Sequence, residues 1–444
     1  MPEPQPPCTL LGILDDGWAG LTNAAREHLG AADVIIGAGR TLALVRPHLR
    51  DGVTVHDMGG ALGKVPGWIE AARAQGLSSA VLATGDPLCH GIAAFLMGKL
   101  GKDAVTIMPA PSTLQLAFAR LKRPWQDYRI ASCHGVDAGE WDAWTPGATP
   151  AHGLYPLMRA VAEHPRVAAF TSPANGPDRI ARALLAAGYD TEIRLSVAAR
   201  LAQADEALFA DLSLAAAAAQ RFPDPNVVLI ERSEIERSNT ERDNPERCAL
   251  FGFEDADYIQ RQPEKGLITK LEARAVSLAK LGLRPDSMVW DIGAGSGSVG
   301  LEASRLASRG HVWAIEKNPD DAANARNNAR RLKATNYTLL EGKAPAGLDT
   351  WPDPDAVFIG GSGGELAQLI TLVLNRLKPD GRLVMNFVTF ENLATATAAL
   401  AAAGAPWEVT QLQASRSQPI LDMHRLAAQN PIWIVTARKP QENV

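Results

Sequence analysis

The sequence contains very little cysteine. Only four of its 444 residues are cysteines, and Cys8, Cys89, Cys133 and Cys248 form no CxxC pair and stand near no histidine pair with the spacing of a zinc site. Scattered thiols of this kind are typical of proteins in a reducing compartment. We therefore expect a reduced, cytoplasmic protein that holds no metal.

Long apolar runs and an excess of one charge are also missing. No stretch approaches the roughly 20 apolar residues that a membrane helix needs. The opening residues MPEPQPPCTL lack the basic start and apolar core of a signal peptide. The 44 basic and 49 acidic side chains give a net charge of −5. Because no broad basic surface follows from this balance, we expect neither membrane nor nucleic acid as a partner.

The remaining composition indicates a folded chain of two or three domains. Hydrophobic residues make up 46% and charged residues 21%, which excludes a disordered protein. Ten of the 17 residues in 231–247 are charged, and such a segment predicts a solvated linker. We predict a first module over 1–235 with lobes of about 1–112 and 113–235, a linker over 236–247, and a second module over 248–444. A weaker boundary is predicted at 135–152, which is rich in glycine, proline and alanine.

Both modules alternate short apolar runs with helical patterns. In the first module TLLGIL, DVIIGA and AVLATGD are separated by helical segments, and the pattern restarts after residue 125 with RIASCHG and RVAAFTS. In the second module MVWDIG, HVWAIE, DAVFIGG and GRLVMNFV alternate in the same way. This pattern predicts an α/β protein with mostly parallel sheets. The final segments WEVTQLQASRS and PIWIVTARK lack a helix between them and predict an antiparallel pair.

The most informative segment of the second module is MVWDIGAGSGSVG. A strand ends at Asp291, and Gly293, Gly295 and Gly297 precede a helix that begins near Ser298. Such a turn lets backbone approach a ligand. A second strand ends in Glu316, where a carboxylate suits the hydroxyls of a ribose. These residues favour S-adenosylmethionine (SAM), whose sulfonium is cationic and which carries no phosphate. A nicotinamide or flavin site and a turn without ligand remain open alternatives, although Ser298 replaces the third glycine of G-x-G-x-x-G.

Beyond the glycine loop, GLITKLEARAVSLAKL and DAVFIGGSGG resemble the decarboxylating methyltransferase module of corrin biosynthesis over about residues 248–439. The resemblance implies a Rossmann-like class I methyltransferase fold with a seven-stranded, mostly parallel sheet. Lys343 departs from the family, which usually has an acidic residue there. The implied SAM-binding residues are Thr269, Asp291, Gly293, Ala294, Gly295, Gly297, Glu316, Lys317, Gly342, Lys343 and Ala344. The implied substrate-binding residues are Gly361, Ser362, Gly363, Lys265 and Lys270.

The first module has its own ordered set of motifs. LLGILDDG, ATGDPLCHG, APSTLQL, ASCHG and TSPANGPDRI follow strand candidates, and the set resembles the tetrapyrrole methylase family over about 220 residues. The resemblance implies a two-lobed αβα fold with SAM bound in the cleft. Leu14 departs from the glycine-rich loop of the family and could not take a positive φ cheaply. The implied SAM-binding residues are Gly85, Asp86, Pro87, Ser112 and Thr113.

Together the two resemblances imply a bifunctional enzyme of corrin biosynthesis. They imply methyl transfer from SAM to C5 and C15 of a tetrapyrrole and loss of CO2 from its C12 acetate, with no assignable catalytic residue. Two alternatives stay open: a nucleotide-dependent oxidoreductase, and a first module that only binds or scaffolds. A homo-oligomer is expected by analogy. Basic residues that could hold substrate carboxylates, and histidines that could contact substrate, are Arg261, Arg274, Arg120, Lys122, Arg123, His90 and His134.

Overall fold

The structure, a computed structural model, describes residues 7–232, 249–261 and 268–439. The chain divides into two compact units, and neither is continuous in sequence. The first unit consists of Met1–His134, His164–Asp178 and Arg194–Arg232, and the second of Gly135–Glu163, Arg179–Ile193 and Ser233–Val444. The predicted linker 236–247, Cys248 and Lys265 lie outside the described residues.

The first sheet has five strands that are all parallel. Its strands are β1 Cys8–Ile13, β2 Val34–Gly37, β3 Thr54–Asp57, β4 Ser79–Thr84 and β5 Val105–Met108. Their spatial order is β3-β2-β4-β1-β5. The helices of this part are α1 Asn23–Ala31, α2 Gly39–Val45, α3 Val65–Ala74, α4 Ala93–Leu100 and α5 Thr113–Leu121. Apolar side chains fill both faces of the sheet, as the continuous apolar runs predicted.

The second sheet also has five strands, but it is mixed. Its strands are β6 Arg129–Ser132, β7 Arg166–Phe170, β8 Ile193–Ala199, β9 Ala207–Ser213 and β10 Asn226–Arg232. They are ordered β6-β7-β10-β8-β9, with β6 and β7 parallel, β10 antiparallel to β7, and β8 antiparallel to β9. The helices between these strands are α6 Tyr155–Glu163, α7 Pro177–Ala186 and α8 Leu214–Ala218.

The third sheet has seven strands ordered β13-β12-β11-β14-β15-β19-β16. The strands are β11 Met288–Ile292, β12 His311–Glu316, β13 Tyr337–Glu341, β14 Ala356–Ile359, β15 Arg382–Phe387, β16 Trp407–Leu412 and β19 Ile432–Arg438. The helices are α9 Leu271–Leu281, α10 Ser298–Leu306, α11 Pro319–Arg331, α12 Leu366–Arg376 and α13 Phe390–Ala402.

The end of the chain forms the predicted antiparallel pair. Strand β19 runs antiparallel to both β15 and β16, while the other strands of the third sheet are parallel. The sequence reading missed a hairpin between β16 and β19, formed by β17 Ser415–Ile420 and β18 Met423–Ala428. Its side chains are mostly exposed, so no periodic apolar pattern could mark it.

Helix α12 illustrates how the third sheet is covered. Its residues Leu366, Leu369, Ile370 and Val373 recur at the spacing of one helix face and are buried against the sheet. The predicted α/β class and the mostly parallel character of this sheet are confirmed by the strand pairing. Within the described residues, every helix falls short of the length and apolarity that a membrane span requires.

One boundary region behaves differently from a linker. Residues 135–152, predicted as a weaker boundary, belong to the second compact unit, where Trp141 and Trp144 are buried. The division into modules at 1–235, 236–247 and 248–444 stays a prediction, because the compact units follow contacts and interleave along the chain.

Candidate functional site

The glycine loop after β11 has the backbone that the sequence predicted. Gly293, Gly295 and Gly297 all have positive φ, at 73°, 56° and 78°, a conformation that side chains with a Cβ rarely adopt. A Cβ on Gly293 would stand 2.5 Å from the carbonyl oxygen of Gly361. The loops after β11 and β14 therefore touch backbone to backbone, and glycine is needed for that approach.

Glu316, at the carboxyl end of β12, organises this loop. Its side chain is buried, and its two oxygens accept hydrogen bonds from the backbone N–H groups of Gly295 and Asn318, both at 2.8 Å. A carboxylate has about four acceptor positions. Glu316 can therefore hold the glycine loop and still accept hydrogen bonds from the hydroxyls of a ribose.

A cavity of about 260 Å³ lies at the carboxyl ends of β11–β14, where ligands bind in sheets of this type. Ten of the SAM- and substrate-binding residues implied for the second module line it: Gly293, Gly295, Glu316, Lys317, Gly342, Lys343, Ala344, Gly361, Ser362 and Gly363. Five others of that set lie within the described chain but outside this lining: Thr269, Lys270, Asp291, Ala294 and Gly297.

Several cavity residues escaped the sequence reading. Gln260, Ser296, Asn318 and Asp321 line the cavity although no motif marked them. Asn318 and Asp321 carried a usable signal, because an asparagine cap followed by acidic residues indicates the start of a helix. Gln260 carried none.

Asn328 on α11 places two of the cavity segments. Its amide accepts a hydrogen bond from the N–H of Ile259 at 2.7 Å and donates to the carbonyl oxygens of Ile259 and Ser296 at 2.8 and 2.9 Å. The side chain is buried. One buried amide therefore joins the stretch before Gln260 to the glycine loop.

Asp291 lies beneath the glycine loop, outside the cavity lining. Its Oδ2 accepts a hydrogen bond from the Gly300 N–H at 3.0 Å, and its Oδ1 has no partner among the described residues. Burial raises the pKa of this carboxyl to about 7, with the Gly300 N–H opposing the shift and the charge of Glu316 adding to it. The hydroxyl of Tyr337, another buried group beside it, is also unpaired within the described chain. The predicted contact of Asp291 with SAM stays a prediction.

The mouth of the cavity carries basic side chains. The position of a Cβ on Gly363 lies 3.7 Å from Nζ of Lys317 and 3.3 Å from Cε of Lys343. Lys343 donates to Glu365 at 2.9 Å, and Arg261 pairs with Asp321 at 2.7 Å. These cationic groups lie where an anionic substrate would approach the Gly361–Gly363 turn.

Arg274 does not lie at this mouth, although it was a candidate for substrate carboxylates. It is completely buried and donates to Oε1 of Glu302 and to the carbonyl oxygen of Thr269, both at 2.6 Å. A fully buried guanidinium cannot meet a substrate, so its role is structural. Lys270 is exposed, and its Nζ stands 3.9 Å from Asp255.

The first unit presents a second candidate site at the carboxyl ends of its strands. A Cβ on Gly12 would stand 2.2 Å from the Gly85 carbonyl oxygen and 2.3 Å from the Ala110 nitrogen. Gly85 has a φ of 68°. Ser112 caps α5 by accepting from the Leu114 N–H at 3.3 Å. The loops after β1, β4 and β5 therefore meet, which brings together the predicted residues Gly85, Asp86, Pro87, Ser112 and Thr113.

The departure at Leu14 has no conformational cost here. Leu14 is not among the described residues with positive φ, whereas Gly17 is, at 62°. The Gly17 N–H donates to the Leu14 carbonyl oxygen at 3.0 Å. The chain therefore turns between Leu14 and Gly17 without a positive φ at Leu14.

Two histidines of the first unit converge on Phe170. The ring centroids of His90 and His134 lie 5.7 and 6.4 Å from that of Phe170. Burial, followed by the charge of His90, lowers the pKa of His134. The basic candidates nearby are engaged elsewhere, since Arg120 pairs with Glu206 at 2.6 Å and Arg123 with Asp211 at 2.7 Å. Lys122 ends α5 with a φ of 54°.

Glu316 offers the most direct test of the cavity. Glu316→Gln should weaken SAM binding at this site by about 1–3 kcal/mol, because the glutamine NH2 must face a backbone N–H donor that the carboxylate now satisfies. Titration calorimetry measures the change. Glu341→Gln, at the exposed end of β13, is the matched control. Equal affinities in the two variants would contradict the assignment of Glu316 to the SAM site.

Comparisons with known proteins match two separate stretches of the chain. Residues 7–216 match the family of tetrapyrrole (corrin/porphyrin) methylases, and residues 262–439 match the precorrin methyltransferase domain. A precorrin-6Y C(5,15)-methyltransferase (decarboxylating) from Sinorhizobium sp is 31% identical over 86% of this chain and 84% of its own length. A protein of the same description from Mycobacterium tuberculosis is 28% identical over 97% of this chain and 99% of its own. A cobalt-precorrin-6B C(15)-methyltransferase (decarboxylating) from Salmonella typhimurium is 39% identical over 40% of this chain and 92% of its own.

Proposed function

The chain belongs to the precorrin-6Y C(5,15)-methyltransferase (decarboxylating) family, and from this premise we propose that it methylates precorrin-6Y at C5 and C15. The same enzyme removes the carboxyl group of the C12 acetate as CO2, giving precorrin-8X in cobalamin biosynthesis. One observation carries the proposal: the two matched regions each bring glycine-containing loops together at the carboxyl ends of a parallel sheet. The two-site arrangement is part of the proposal.

The residues of the second unit fit SAM. A cavity floored by a glycine loop suits an uncharged adenosine, because glycine admits the ligand close to backbone N–H groups. Glu316 would hold the ribose, and Asp291 beneath the loop, whose Oδ1 has no partner among the described residues, would add negative potential that favours a cation when it is ionised. SAM, when bound, supplies an electrophilic methyl group on a positively charged sulfur.

In this reaction the chain would align the two reactants and bind the carboxylates of the substrate. Methyl transfer from a sulfonium releases a neutral thioether, so the protein mainly has to hold the carbon nucleophile in line. The Gly361–Gly363 turn, without bulky side chains, leaves room for a flat macrocycle. Lys317 and Lys343 beside it would meet the carboxylates of the substrate. In the first unit, Gly85–Pro87 and Ser112–Thr113 would hold the second SAM.

Mass spectrometry of the products decides the function. The full-length chain is incubated with precorrin-6Y and SAM, and the expected product has gained two methyl groups and lost one CO2. A product with a single new methyl group, at C15, and one CO2 lost would instead support a first module that only binds or scaffolds. The homo-oligomeric state and the cytoplasmic location remain predictions.

A substitution at Gly12 tests the first proposed site without touching the second. Gly12→Ala forces a Cβ into the backbone of Gly85 and Ala110, and displacing these loops should slow C5 methylation by about 100-fold, as misplacements of about 1 Å do. C15 methylation and decarboxylation should continue. Gly30→Ala on α1, where a Cβ meets no atom of the described residues within 4 Å, is the control. Unchanged C5 methylation in Gly12→Ala would rule out a SAM site at these loops.

A further inference from the structure

Part of the segment that matches the tetrapyrrole methylases packs on the methyltransferase sheet. Residues 135–163 and 179–193 lie inside the 7–216 match, yet they form one compact unit with the residues of the third sheet. Strand β13 is at the edge of that sheet. An edge strand exposes unpaired N–H and C=O groups unless something covers them.

Trp144 covers this edge. The Leu339 N–H of β13 donates to the Trp144 carbonyl oxygen at 3.1 Å, and the Trp144 indole N–H donates to the carbonyl oxygen of Ala334 at 2.8 Å. The indole is only 7% exposed. Trp144 has a φ of 61°, a conformation that costs a bulky residue energy and persists where the surroundings impose it. Both its backbone and its side chain are therefore committed to the edge.

A buried chain of hydrogen bonds runs from the same segment into β12 and β13. The Tyr155 hydroxyl lies 3.0 Å from Nδ1 of His311, Nε2 of His311 lies 2.8 Å from the Thr338 hydroxyl, and that hydroxyl donates to the Ala148 carbonyl oxygen at 2.8 Å. Burial lowers the pKa of His311 to about 3, so the ring is neutral. With its proton on Nε2, each hydrogen bond of the chain joins one donor to one acceptor.

Further polar contacts extend the same surface. Arg159 of α6 donates to the Thr335 hydroxyl at 2.8 Å and to the Ser308 carbonyl oxygen. Lys333 forms an ion pair with Glu192 and stands 5.1 Å from the centre of the Tyr189 ring. Buried polar groups that are paired in this way specify one arrangement, because each would lose a partner on separation.

We infer that residues 141–159 are a docking segment, which holds the methylase-matching part of the chain on the β12–β13 edge independently of the covalent connection through 236–247. The edge it covers continues at its carboxyl end into the cavity, since Glu316 ends β12 and Gly342–Ala344 follow β13. The docking segment thus holds the two strands whose carboxyl ends line the proposed SAM site, and keeps both proposed activities in one particle.

The test cuts the connection in the folded protein. A protease recognition sequence replaces part of 236–247 in the full-length chain, and the cut protein is passed over a size-exclusion column. We expect the two fragments to elute together. Elution as two separate fragments would overturn the inference. Neither SAM nor precorrin is needed, so the result does not depend on the proposed function.

Variants then assign the association to the docking segment. Trp144→Ala in the cut protein should raise the dissociation constant at least about tenfold, because the Ala334 carbonyl oxygen loses its indole partner and the buried ring surface is lost. Tyr155→Phe, which removes one oxygen, should raise it by a smaller factor with no change in fold by circular dichroism. Trp125→Ala, at a half-exposed tryptophan of the first unit, is the matched control. Equal dissociation constants for Tyr155→Phe, Trp144→Ala and this control would overturn the assignment.

Discussion

Arg274→Met should lower the free energy of unfolding by about 3–5 kcal/mol, because it leaves the Glu302 carboxylate charged and buried without its cation. Both side chains are fully buried, and Nε of Arg274 lies 2.6 Å from Oε1 of Glu302. The guanidinium also donates to the carbonyl oxygens of Thr269 and Phe253. Urea unfolding of the two chains measures the difference.

Arg274→Met should also weaken SAM binding in the cavity. Glu302 also accepts from the Tyr258 hydroxyl at 2.8 Å and the Gly252 N–H at 2.6 Å, so the ion pair fixes the stretch 252–258 onto α10. That stretch leads directly to Gln260 and Arg261 of the cavity lining. SAM affinity should therefore fall in Arg274→Met even though Arg274 touches no ligand.

Two further variants test whether burial of the ion pair, and not the loss of one ion pair as such, causes the loss of stability. Lys280→Met removes a partly exposed pair with Glu408 and should cost no more than about 1 kcal/mol. The double variant Arg274→Met/Glu302→Leu should recover part of the stability, because no unpaired charge is then buried, while the Tyr258 hydroxyl and the Gly252 N–H still lack their acceptor. If Arg274→Met and Lys280→Met lower the free energy of unfolding equally, the buried Arg274–Glu302 pair does not anchor the stretch 252–258.

Asp291→Asn should raise the free energy of unfolding of the ligand-free protein by about 2–4 kcal/mol near pH 8. Folding raises the pKa of Asp291 from 3.8 to about 7, and a tenfold change in proton affinity between the unfolded and folded chains corresponds to about 1.36 kcal/mol. Asparagine cannot ionise, and its oxygen can still accept from the Gly300 N–H.

The stabilisation by Asp291→Asn should be larger at high pH than at low pH. The pKa of Asp291 is higher in the folded than in the unfolded chain, so the folded chain binds the proton more tightly. The stability from that proton is complete below about pH 4 and is lost as the pH rises through about 7. The increase in the free energy of unfolding that Asp291→Asn causes should therefore fall to about half near pH 5.5. Thermal unfolding at the two pH values measures it.

A matched exchange shows whether burial is the cause. Asp320→Asn changes an exposed carboxylate at the start of α11 and should shift stability by no more than about 0.5 kcal/mol at either pH. An advantage of Asp291→Asn that is independent of pH would exclude ionisation of Asp291 as its origin. Calorimetry with SAM on the same variant then tests the predicted ligand contact, because a lost carboxylate should weaken binding while stability rises.

The glycine loop and Glu316 could be predicted because their signals are local. A strand that ends in a run of glycines before a helix favours positive φ whatever surrounds it, and the next strand end must lie alongside. The same reasoning brought Gly85 and Ser112 together in the first unit. Local reasoning misjudged Arg274, because the residues near it in sequence do not show that it is buried and paired with a carboxylate 28 positions later.

The sequence by itself determined the α/β class, the alternation of strands and helices, and the strand ends that carry the two candidate sites, because apolar periodicity and glycine turns act over a few residues. Only the tertiary structure decided that Asp291 lies beneath its loop with a raised pKa, that Arg274 is an internal anchor, and that 141–159 covers β13. Each of these depends on groups that are distant along the chain, such as Trp144 and Ala334. Burial and pairing are properties of the packed fold, and no local pattern encodes them.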